Sequence, residues 1–139
     1  MFTQNKTVMV GDVMVGVNNT PKVTRKTLLK EALELMDLNK LGIVCIVSNY
    51  GQLEGIITDG DIRRMLTKIQ KPMAALMSDD VIDHAIINPT TVTKNTVLVD
   101  AVSIMGDKQI WDLPVIDDNN TLKGLLHLHP AIKGLMETS

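Results

Sequence analysis

An internal repeat with a period of 69 residues constrains the fold of this chain more than any other feature. When residues 21–66 are aligned on residues 90–135 without a gap, nine of 46 positions are identical. Unrelated segments of ordinary composition would share about three. The identities include apolar residues at helical spacing, which in the first copy are Leu29, Ala32 and Met36. The repeat therefore marks two copies of one supersecondary unit, and each is small enough that the two should pack on each other.

Each copy has the pattern of a strand, a helix, two strands and a second helix. In the first copy a short strand near residues 22–24 precedes an amphipathic helix, for which Thr27 is available as the N-cap. Residues 43–48 and 53–58 are apolar runs on either side of a turn signal, which predicts a hairpin. A helix over residues 59–68 closes the unit.

The remaining segments are shorter and less regular. Residues 8–17 are apolar but interrupted by glycines and Asp12, which predicts a short helix or a loop. Residues 68–85 link the copies and should contain a short helix near residues 73–77. We predict an α/β (α+β) fold with a first domain at residues 1–69, including the N-terminal segment, and a second at 70–139, including the linker helix.

Composition narrows the possible functions. The chain is 45% hydrophobic but only 2% aromatic, and its net charge is −2, which predicts an aliphatic core and makes nucleic acid an unexpected partner. The single Cys45 lies in an apolar run, which predicts a buried thiol and excludes an intrachain disulfide. The sequence has no apolar stretch of membrane-spanning length and no signal peptide pattern. We therefore expect a cytoplasmic protein that does not enter a membrane.

The end of the second hairpin strand carries the strongest candidate for chemistry. Thr58 ends an apolar run, and the helix that follows begins with Asp59, Gly60 and Asp61. A strand that turns directly into a helix points free N–H groups at a ligand above the strand end. Thr58 can then donate from its hydroxyl, Asp61 can accept from a ribose, and Arg64 can reach a phosphate. Thr58-x-x-Asp61 is equally a capping box that needs no ligand, and the pattern alone leaves both interpretations open.

The whole repeat resembles a tandem pair of cystathionine β-synthase (CBS) domains, also called a Bateman module. The resemblance rests on two units that each close on glycine, two apolar residues and the Thr-x-x-Asp segment or its counterpart. Within that superfamily, residues 55–64 (GIITDGDIRR), 113–117 (LPVID), 124–129 (GLLHLH) and 131–135 (AIKGL) resemble the C-terminal CBS pair of bacterial arabinose-5-phosphate isomerases. Those enzymes belong to the 3-deoxy-octulosonate pathway of lipopolysaccharide and capsule synthesis. CBS pairs fused to sugar nucleotidyltransferases carry similar TDGDIRR segments.

The resemblance implies two CBS β-α-β-β-α repeats packed with pseudo-twofold symmetry around a cleft that binds AMP, ADP or ATP. No cofactor is obligatory in such a module. The first site is expected to use Thr58 and Asp61 for ribose and phosphate, and Arg64 for phosphate, with Arg63 as the fallback. The residues implied to line the adenine base are Lys22, Val23, Gly42 and Val44.

The second copy departs from the family pattern where the ligand would bind. His127 stands in the place of Thr58 and Pro130 in the place of Asp61. Proline suits a first helical turn but offers no acceptor for a ribose. The second site is therefore predicted to be weak, empty or altered. Its residues would be Val92, Leu113, Pro114, His127 and His129.

Other residues are weaker candidates for a functional site. His127 and His129 with His84 or Asp112 do not supply the four ligands of a structural zinc site, so no metal is predicted. Trp111 is expected at an interface or a pocket wall. The chain has no Ser/His/Asp ordering, no Cys–His pair and no phosphate-binding Gly-Lys-Ser/Thr loop. We therefore expect no catalysis by this chain alone.

The sequence supports two functional hypotheses. The first is a regulatory module that senses an adenine nucleotide and acts on an attached or separate sugar-phosphate isomerase domain. The second is an oligomerisation or interaction module whose cleft never binds a nucleotide. In either case the family leads us to expect a homodimer formed through the helices at residues 59–68 and 130–136.

Overall fold

The computed structural model describes residues 7–138, and within that range the chain forms six α-helices and six β-strands. In chain order the elements are α1 (Val10–Val13), β1 (Val15–Gly16), β2 (Lys22–Val23), α2 (Leu29–Asn39), β3 (Ile43–Val47), β4 (Leu53–Thr58), α3 (Asp59–Lys68), α4 (Met73–Met77), α5 (Leu98–Lys108), β5 (Asp112–Ile116), β6 (Leu122–His127) and α6 (Leu128–Thr138). Single 3-10 turns occur at Val17–Asn19 and Val81–His84. The α/β fold class and the short linker helix are confirmed. No helix of the described residues is long and apolar enough to cross a membrane.

The first compact unit comprises Pro21–Pro89 and is called here the continuous unit. Its sheet has the order β2-β3-β4, with β2 parallel and β4 antiparallel to β3. Alternate residues of β3 point Val44 and Ile46 into a core with the apolar stripe of α2. Cys45 is fully buried, as its apolar surroundings predict.

The second compact unit combines Met1–Thr20 with Thr90–Ser139 and is called here the split unit. Its sheet has the order β1-β6-β5, with both pairings antiparallel. Its core repeats the arrangement of the first, with Leu98, Ala101 and Met105 of α5 packed under β5 and β6. Val10 of α1 is fully buried in the same core.

The repeat extends to backbone conformation. Lys40 and Gln109, which are 69 residues apart, both end their helices in the left-handed region, with φ of 54° and 55°. Gly51 and Asn120, at the same separation, both have positive φ in the hairpin turns, with φ of 80° and 63°. Glycine and asparagine are the residues that adopt this conformation most readily. The two copies therefore share their turn geometry although few of their turn residues are identical.

The two compact units do not follow the predicted domain boundary between residues 69 and 70. The N-terminal segment packs in the unit of the second repeat, because β1 pairs with β6 and Val10 enters that core. The linker packs in the unit of the first repeat, because Leu76 and Val81 belong to its core. The predicted boundaries follow the repeats in sequence, whereas the compact units follow the packing of the segments between them.

Each unit receives its extra edge segment at a glycine. Ile86 exchanges two backbone hydrogen bonds with Ile56, of 3.0 and 2.8 Å, and a Cβ on neighbouring Gly55 would lie 2.8 Å from the Ile86 carbonyl oxygen. In the other unit β1 pairs at Gly124, where a Cβ would overlap the Val15 carbonyl oxygen. The glycine that both repeats share thus permits close approach of a backbone.

The prediction that Thr27 caps α2 is wrong. The N-cap is Leu28, whose N–H donates to Glu31 Oε1 at 3.2 Å. The Thr27 hydroxyl instead accepts the N–H of Thr24 at 3.2 Å within the preceding turn. Leu29 N–H, at the first position of the helix, donates to the Asp79 carbonyl oxygen at 2.9 Å. A linker carbonyl therefore satisfies a donor that a side-chain cap would otherwise serve.

Candidate functional site

Thr58 and Asp61 lie together where β4 passes directly into α3. The Thr58 N–H donates to Asp61 Oδ2 at 3.0 Å, and the Thr58 hydroxyl donates to the same oxygen at 2.8 Å. The Asp61 N–H donates back to Thr58 Oγ1 at 3.3 Å. The capping box is therefore complete within the chain. It holds the Asp61 carboxylate in one place, with only 12% of its side chain exposed.

Arg64 is bound to the same carboxylate. Its Nη2 donates to Asp61 Oδ1 at 2.9 Å, and 54% of its side chain is exposed. The guanidinium reaches back over Gly60, where a Cβ would lie 3.1 Å from Nη2. A cation is thus held beside the N-terminus of α3 while half of it faces solvent. Arg63 is exposed, and of the two arginines Arg64 is the one joined to Asp61.

The first turn of α3 uses two of its backbone donors inside the continuous unit. The Asp59 N–H donates to the Gly42 carbonyl oxygen at 3.0 Å, and that of Asp61 donates to Thr58. A Cβ on Gly42 would lie 2.5 Å from Asp59 Oδ2, so a larger residue would displace that carboxylate. The cluster of free amides expected from the sequence is therefore smaller in the structure, and Arg64 adds a cationic side chain beside it.

The residues implied to line the base are distributed over two strands. Gly42 immediately precedes β3, whose first residue, Ile43, pairs with Thr58. Lys22 and Val23 form β2, on the other side of β3, and both are half-buried. The Val44 side chain is fully buried in the apolar core. Gly42 therefore lies next to Thr58 and Asp59, whereas Val44 supports the strand from beneath.

The corresponding position of the split unit has different chemistry. His127 Nδ1 lies 2.8 Å from Asp112 Oδ1, and the Asp112 side chain is only 8% exposed. The rings of His127 and His129 are stacked, with centroids 6.4 Å apart and an angle of 15° between their planes. The Asp112 carboxylate contacts Nδ1 and so orients the imidazole ring. Nε2 takes no part in this contact. Two imidazoles and a carboxylate thus replace the hydroxyl and carboxylate of the first repeat.

The other predicted residues of the second site are mostly structural. Val92 and Leu113 belong to the apolar core, with exposures of 5% and 0%. Pro114 is buried in β5, and its carbonyl accepts the N–H of Val92 at 3.1 Å. Pro130 is the third residue of α6, in its first turn as predicted. Among the five predicted residues, only the two histidines present polar side chains.

Asp112 and Trp111 are more prominent here than sequence reasoning made them. Asp112 corresponds to Ile43 of the first repeat, and a charged residue at the start of an otherwise apolar strand was the available signal. Trp111 corresponds to Gly42, is 68% exposed, and accepts the N–H of Leu128 through its carbonyl at 2.9 Å. This position of the repeat therefore carries the smallest residue, glycine, in the first copy and the largest, tryptophan, in the second.

His84 belongs to a different cluster of charged side chains, in the linker. Its Nε2 is 2.7 Å from Asp79 Oδ2, and Lys71 Nζ lies 2.6 and 2.9 Å from the two oxygens of the same carboxylate. The hydrogen bond from Lys71, followed by that from His84, lowers the pKa of Asp79 below its usual 3.8. Over residues 7–138 no group of three or more His, Cys, Asp or Glu side chains is arranged to hold a metal ion.

The fold and the paired strand-to-helix junctions define a class of protein. The CBS domain family model matches residues 10–68 and 74–129, which is most of the chain. The protein therefore belongs to the CBS domain family and carries two copies of the domain. The resemblance inferred from the repeat and its motifs is confirmed.

Curated relatives that share the CBS pair include arabinose 5-phosphate isomerases and a homoserine O-acetyltransferase. The arabinose 5-phosphate isomerase KdsD of Pseudomonas aeruginosa is 32% identical over 124 residues, which cover 89% of this chain and 37% of that protein. A probable arabinose 5-phosphate isomerase of Haemophilus influenzae is 33% identical over 106 residues, covering 76% of this chain and 30% of that protein. The chain thus spans about a third of the length of these two isomerase relatives.

Solved structures match over almost the whole chain. The structure of CBSX2 in complex with AMP superposes on this chain with a TM-score of 0.82 at 25% identity. The match covers 94% of this chain and 97% of the CBSX2 chain. The CBS pair of protein MJ0100, in complex with 5'-methylthioadenosine and S-adenosylmethionine, has a TM-score of 0.80 at 18% identity, with coverage of 96% and 100%. The fold is therefore that of a CBS pair.

Proposed function

We propose that this chain is a regulatory module that binds an adenine nucleotide at the strand-to-helix junction of its continuous unit. The observation that carries the proposal is the constellation of Thr58, Asp61 and Arg64 at the start of α3. It occurs in a chain that is 25% identical to a CBS pair solved with AMP. The residues proposed to contact the nucleotide or to shape its site are Thr58, Asp61, Arg64, Lys22, Val23, Gly42 and Val44.

The chemistry of the junction suits a nucleoside phosphate. The Asp61 carboxylate is mostly buried and oriented by three hydrogen bonds, so it is held in place to accept from a ribose hydroxyl, and a second ribose hydroxyl would share or replace one of those bonds. Arg64 is tied at one nitrogen and half exposed, which leaves other guanidinium donors for a phosphate. The Asp59 carboxylate occupies the space that a side chain at Gly42 would fill, so Gly42 allows a second carboxylate to lie beside the junction.

Nucleotide titration of a matched pair of variants tests the proposal. Calorimetry with AMP, ADP and ATP should detect binding to the natural chain, and Asp61→Ala should weaken it about tenfold or more, since hydrogen bonds to a carboxylate contribute ~1.5–3 kcal/mol. Glu31→Ala is the control, because Glu31 makes the corresponding capping bond at the start of α2. Equal weakening in both variants, or no heat with any nucleotide, would refute nucleotide sensing at this junction.

The second site is proposed to bind nucleotides weakly or not at all. Asp61 has no counterpart in α6, where Pro130 occupies its position, and His127 is engaged by Asp112. A stoichiometry of one AMP per chain in the same titration is the expected result. A second site of similar affinity that persists in Asp61→Ala would contradict this assignment.

We propose further that the module regulates a sugar-phosphate isomerase. The support is the similarity of 32–33% to arabinose 5-phosphate isomerases, of which this chain spans about a third. The chemistry would reside in an isomerase domain, attached or separate, and the CBS pair would change its activity only if the nucleotide binds two states of the assembly with different affinity. Adding the chain and AMP to such an isomerase domain should change the rate of aldose-ketose interconversion.

A second function is supported by one specific observation. The capping box between Thr58 and Asp61 is complete within the chain, and this structural role is the one those residues would have in an interaction module. Helices α3 and α6 also carry exposed apolar residues, namely Leu66, Ile132 and Met136, which suit a homodimer. Light scattering should show a dimer that Leu66→Asp weakens. If the calorimetry above gives no heat, this function remains.

A further inference from the structure

A groove at the hairpin end of the continuous unit has no part in the functions described so far. It has a volume of about 360 Å³ and lies between the turn that follows β2 and the turn that joins β3 to β4. The side chains and backbone that line it are those of Thr24, Arg25, Lys26, Val47, Ser48, Asn49, Tyr50 and Glu54. This hairpin-end groove is within the size range of sites for small molecules.

The strand register places this groove away from the nucleotide junction. Ile43, at the start of β3, pairs with Thr58, whereas Val47, at the end of β3, pairs with Leu53. Four residues of extended chain separate these two pairs, which corresponds to about 13 Å along the strand. The junction and the hairpin-end groove are therefore at opposite ends of one sheet.

The groove is locally cationic in a chain whose net charge is −2. Arg25 and Lys26 contribute two positive charges and Glu54 one negative charge. Arg25 Nη1 lies 3.5 Å from Glu54 Oε2 and 58% of its side chain is exposed, so it is positioned without being enclosed. Within residues 7–138 the structure gives Lys26 no ion pair. An anion entering the groove would meet both cations.

Tyr50 is presented from a fixed turn. Its N–H and that of Gln52 both donate to Ser48 Oγ, at 3.2 and 3.1 Å, and the turn closes with Gly51 at positive φ. The Tyr50 side chain is 88% exposed. A large ring left in water beside a groove offers an apolar face to a ligand with a ring of its own. Asn49, Thr24 and Glu54 add hydrogen-bonding groups suited to hydroxyls.

We propose that the hairpin-end groove binds the phosphate monoester of a sugar. The phosphate lies between Arg25 and Lys26, where a guanidinium and an ammonium supply charge-assisted hydrogen bonds. The sugar ring packs against Tyr50, and its hydroxyls bond to the polar groups of the two turns. This site is independent of Thr58 and Asp61, so it holds or fails separately from nucleotide binding.

Amide shifts of the isotopically labelled chain test the assignment, with glucose 6-phosphate as the probe. We expect saturable shifts at residues 24–26 and 48–51, and much smaller shifts with glucose or inorganic phosphate alone. Lys26→Glu and Tyr50→Ala should each weaken binding about tenfold. Tyr50→Phe, which keeps the ring, and Lys30→Ala, which removes an exposed lysine of α2 outside the groove, should bind within about twofold of the natural chain.

Each alternative result overturns the proposal. The first is the absence of any shift at 20 mM probe, taken as roughly the limit of useful affinity. The second is equal weakening of binding by Lys26→Glu and Lys30→Ala. The third is a set of shifts confined to residues 58–64. AMP titration of Lys26→Glu keeps the two sites distinguishable, because nucleotide binding should be unchanged in that variant. Tyr50 and Lys26 are exposed, so their replacement leaves the core intact, and unchanged shifts of β3 and β4 would verify this.

Discussion

At the scale of single residues, Asp61 shows how one carboxylate can serve both stability and recognition. Its oxygens accept from Thr58 and Arg64. A ligand that binds there must share or replace those bonds. The sequence predicts the contact of Thr58 with Asp61, because the spacing of a capping box fixes it. It does not predict that Asp59 packs against Gly42 or that Asp112 holds His127, since both contacts depend on strand register.

Asp79 provides a test of electrostatics at the same scale. Lys71 and His84 lower the pKa of Asp79 in the folded chain. The ionised carboxylate of Asp79 therefore stabilises the fold at pH values above its usual pKa of 3.8. That contribution is lost as the pH falls through the lower pKa of the folded state. Asp79→Asn should therefore reduce the free energy of unfolding at pH 7, and the difference from the natural chain should shrink in acid. Urea unfolding at several pH values measures it, and a difference that grew below pH 3.8 would contradict the argument.

At the scale of elements, each sheet is completed by a segment from a distant part of the chain. β1 joins β6, and residues next to the Val81–His84 turn join β4. The helices and hairpins of both repeats were predictable because their apolar periodicity is local. The two-residue strand β1 was not predicted, because it has no such periodicity and its partner β6 lies far away in sequence. The repeated glycines Gly55 and Gly124 were visible in the alignment, but only the pairing shows why they recur.

Gly124→Ala tests the edge pairing. An added Cβ would overlap the Val15 carbonyl oxygen and force β1 away from β6, so the free energy of unfolding should fall by about 2 kcal/mol, as for other overpacked sites. Gly106→Ala is the matched control, since a Cβ at this exposed position of α5 meets nothing within 4 Å. It should raise stability by about 0.5–1 kcal/mol through helix propensity. Equal effects of the two changes in denaturant unfolding would refute the role given to Gly124.

At the scale of the whole molecule, the two repeats do not coincide with the two compact units. The split unit is built from both ends of the chain, and the continuous unit from its middle. A 69-residue period reveals the duplication, but it does not reveal which copy receives the segment before each first strand. That choice depends on the burial of Val10 in one core and of Leu76 in the other, and both residues lie outside the aligned repeat.

Removal of residues 1–16 should therefore affect the second repeat rather than the first. The deletion takes away the strand beside β6 and the Val10 side chain, so amides of β5 and β6 should exchange with solvent faster. Amides of β3 and β4 should keep their protection, because no part of the continuous unit is deleted. Hydrogen exchange followed residue by residue makes the comparison. Faster exchange confined to β3 and β4 would reverse the assignment of the segment.

The composition of the split unit has a consequence for redesigning the chain order. A circular permutant that opens between Pro89 and Thr90, and joins residue 139 to residue 1 by a flexible linker, would run first through the split unit and then through the continuous one. Each unit would then be encoded by one uninterrupted stretch. In that permutant the two halves could be synthesised as separate polypeptides, each carrying every strand of its own sheet.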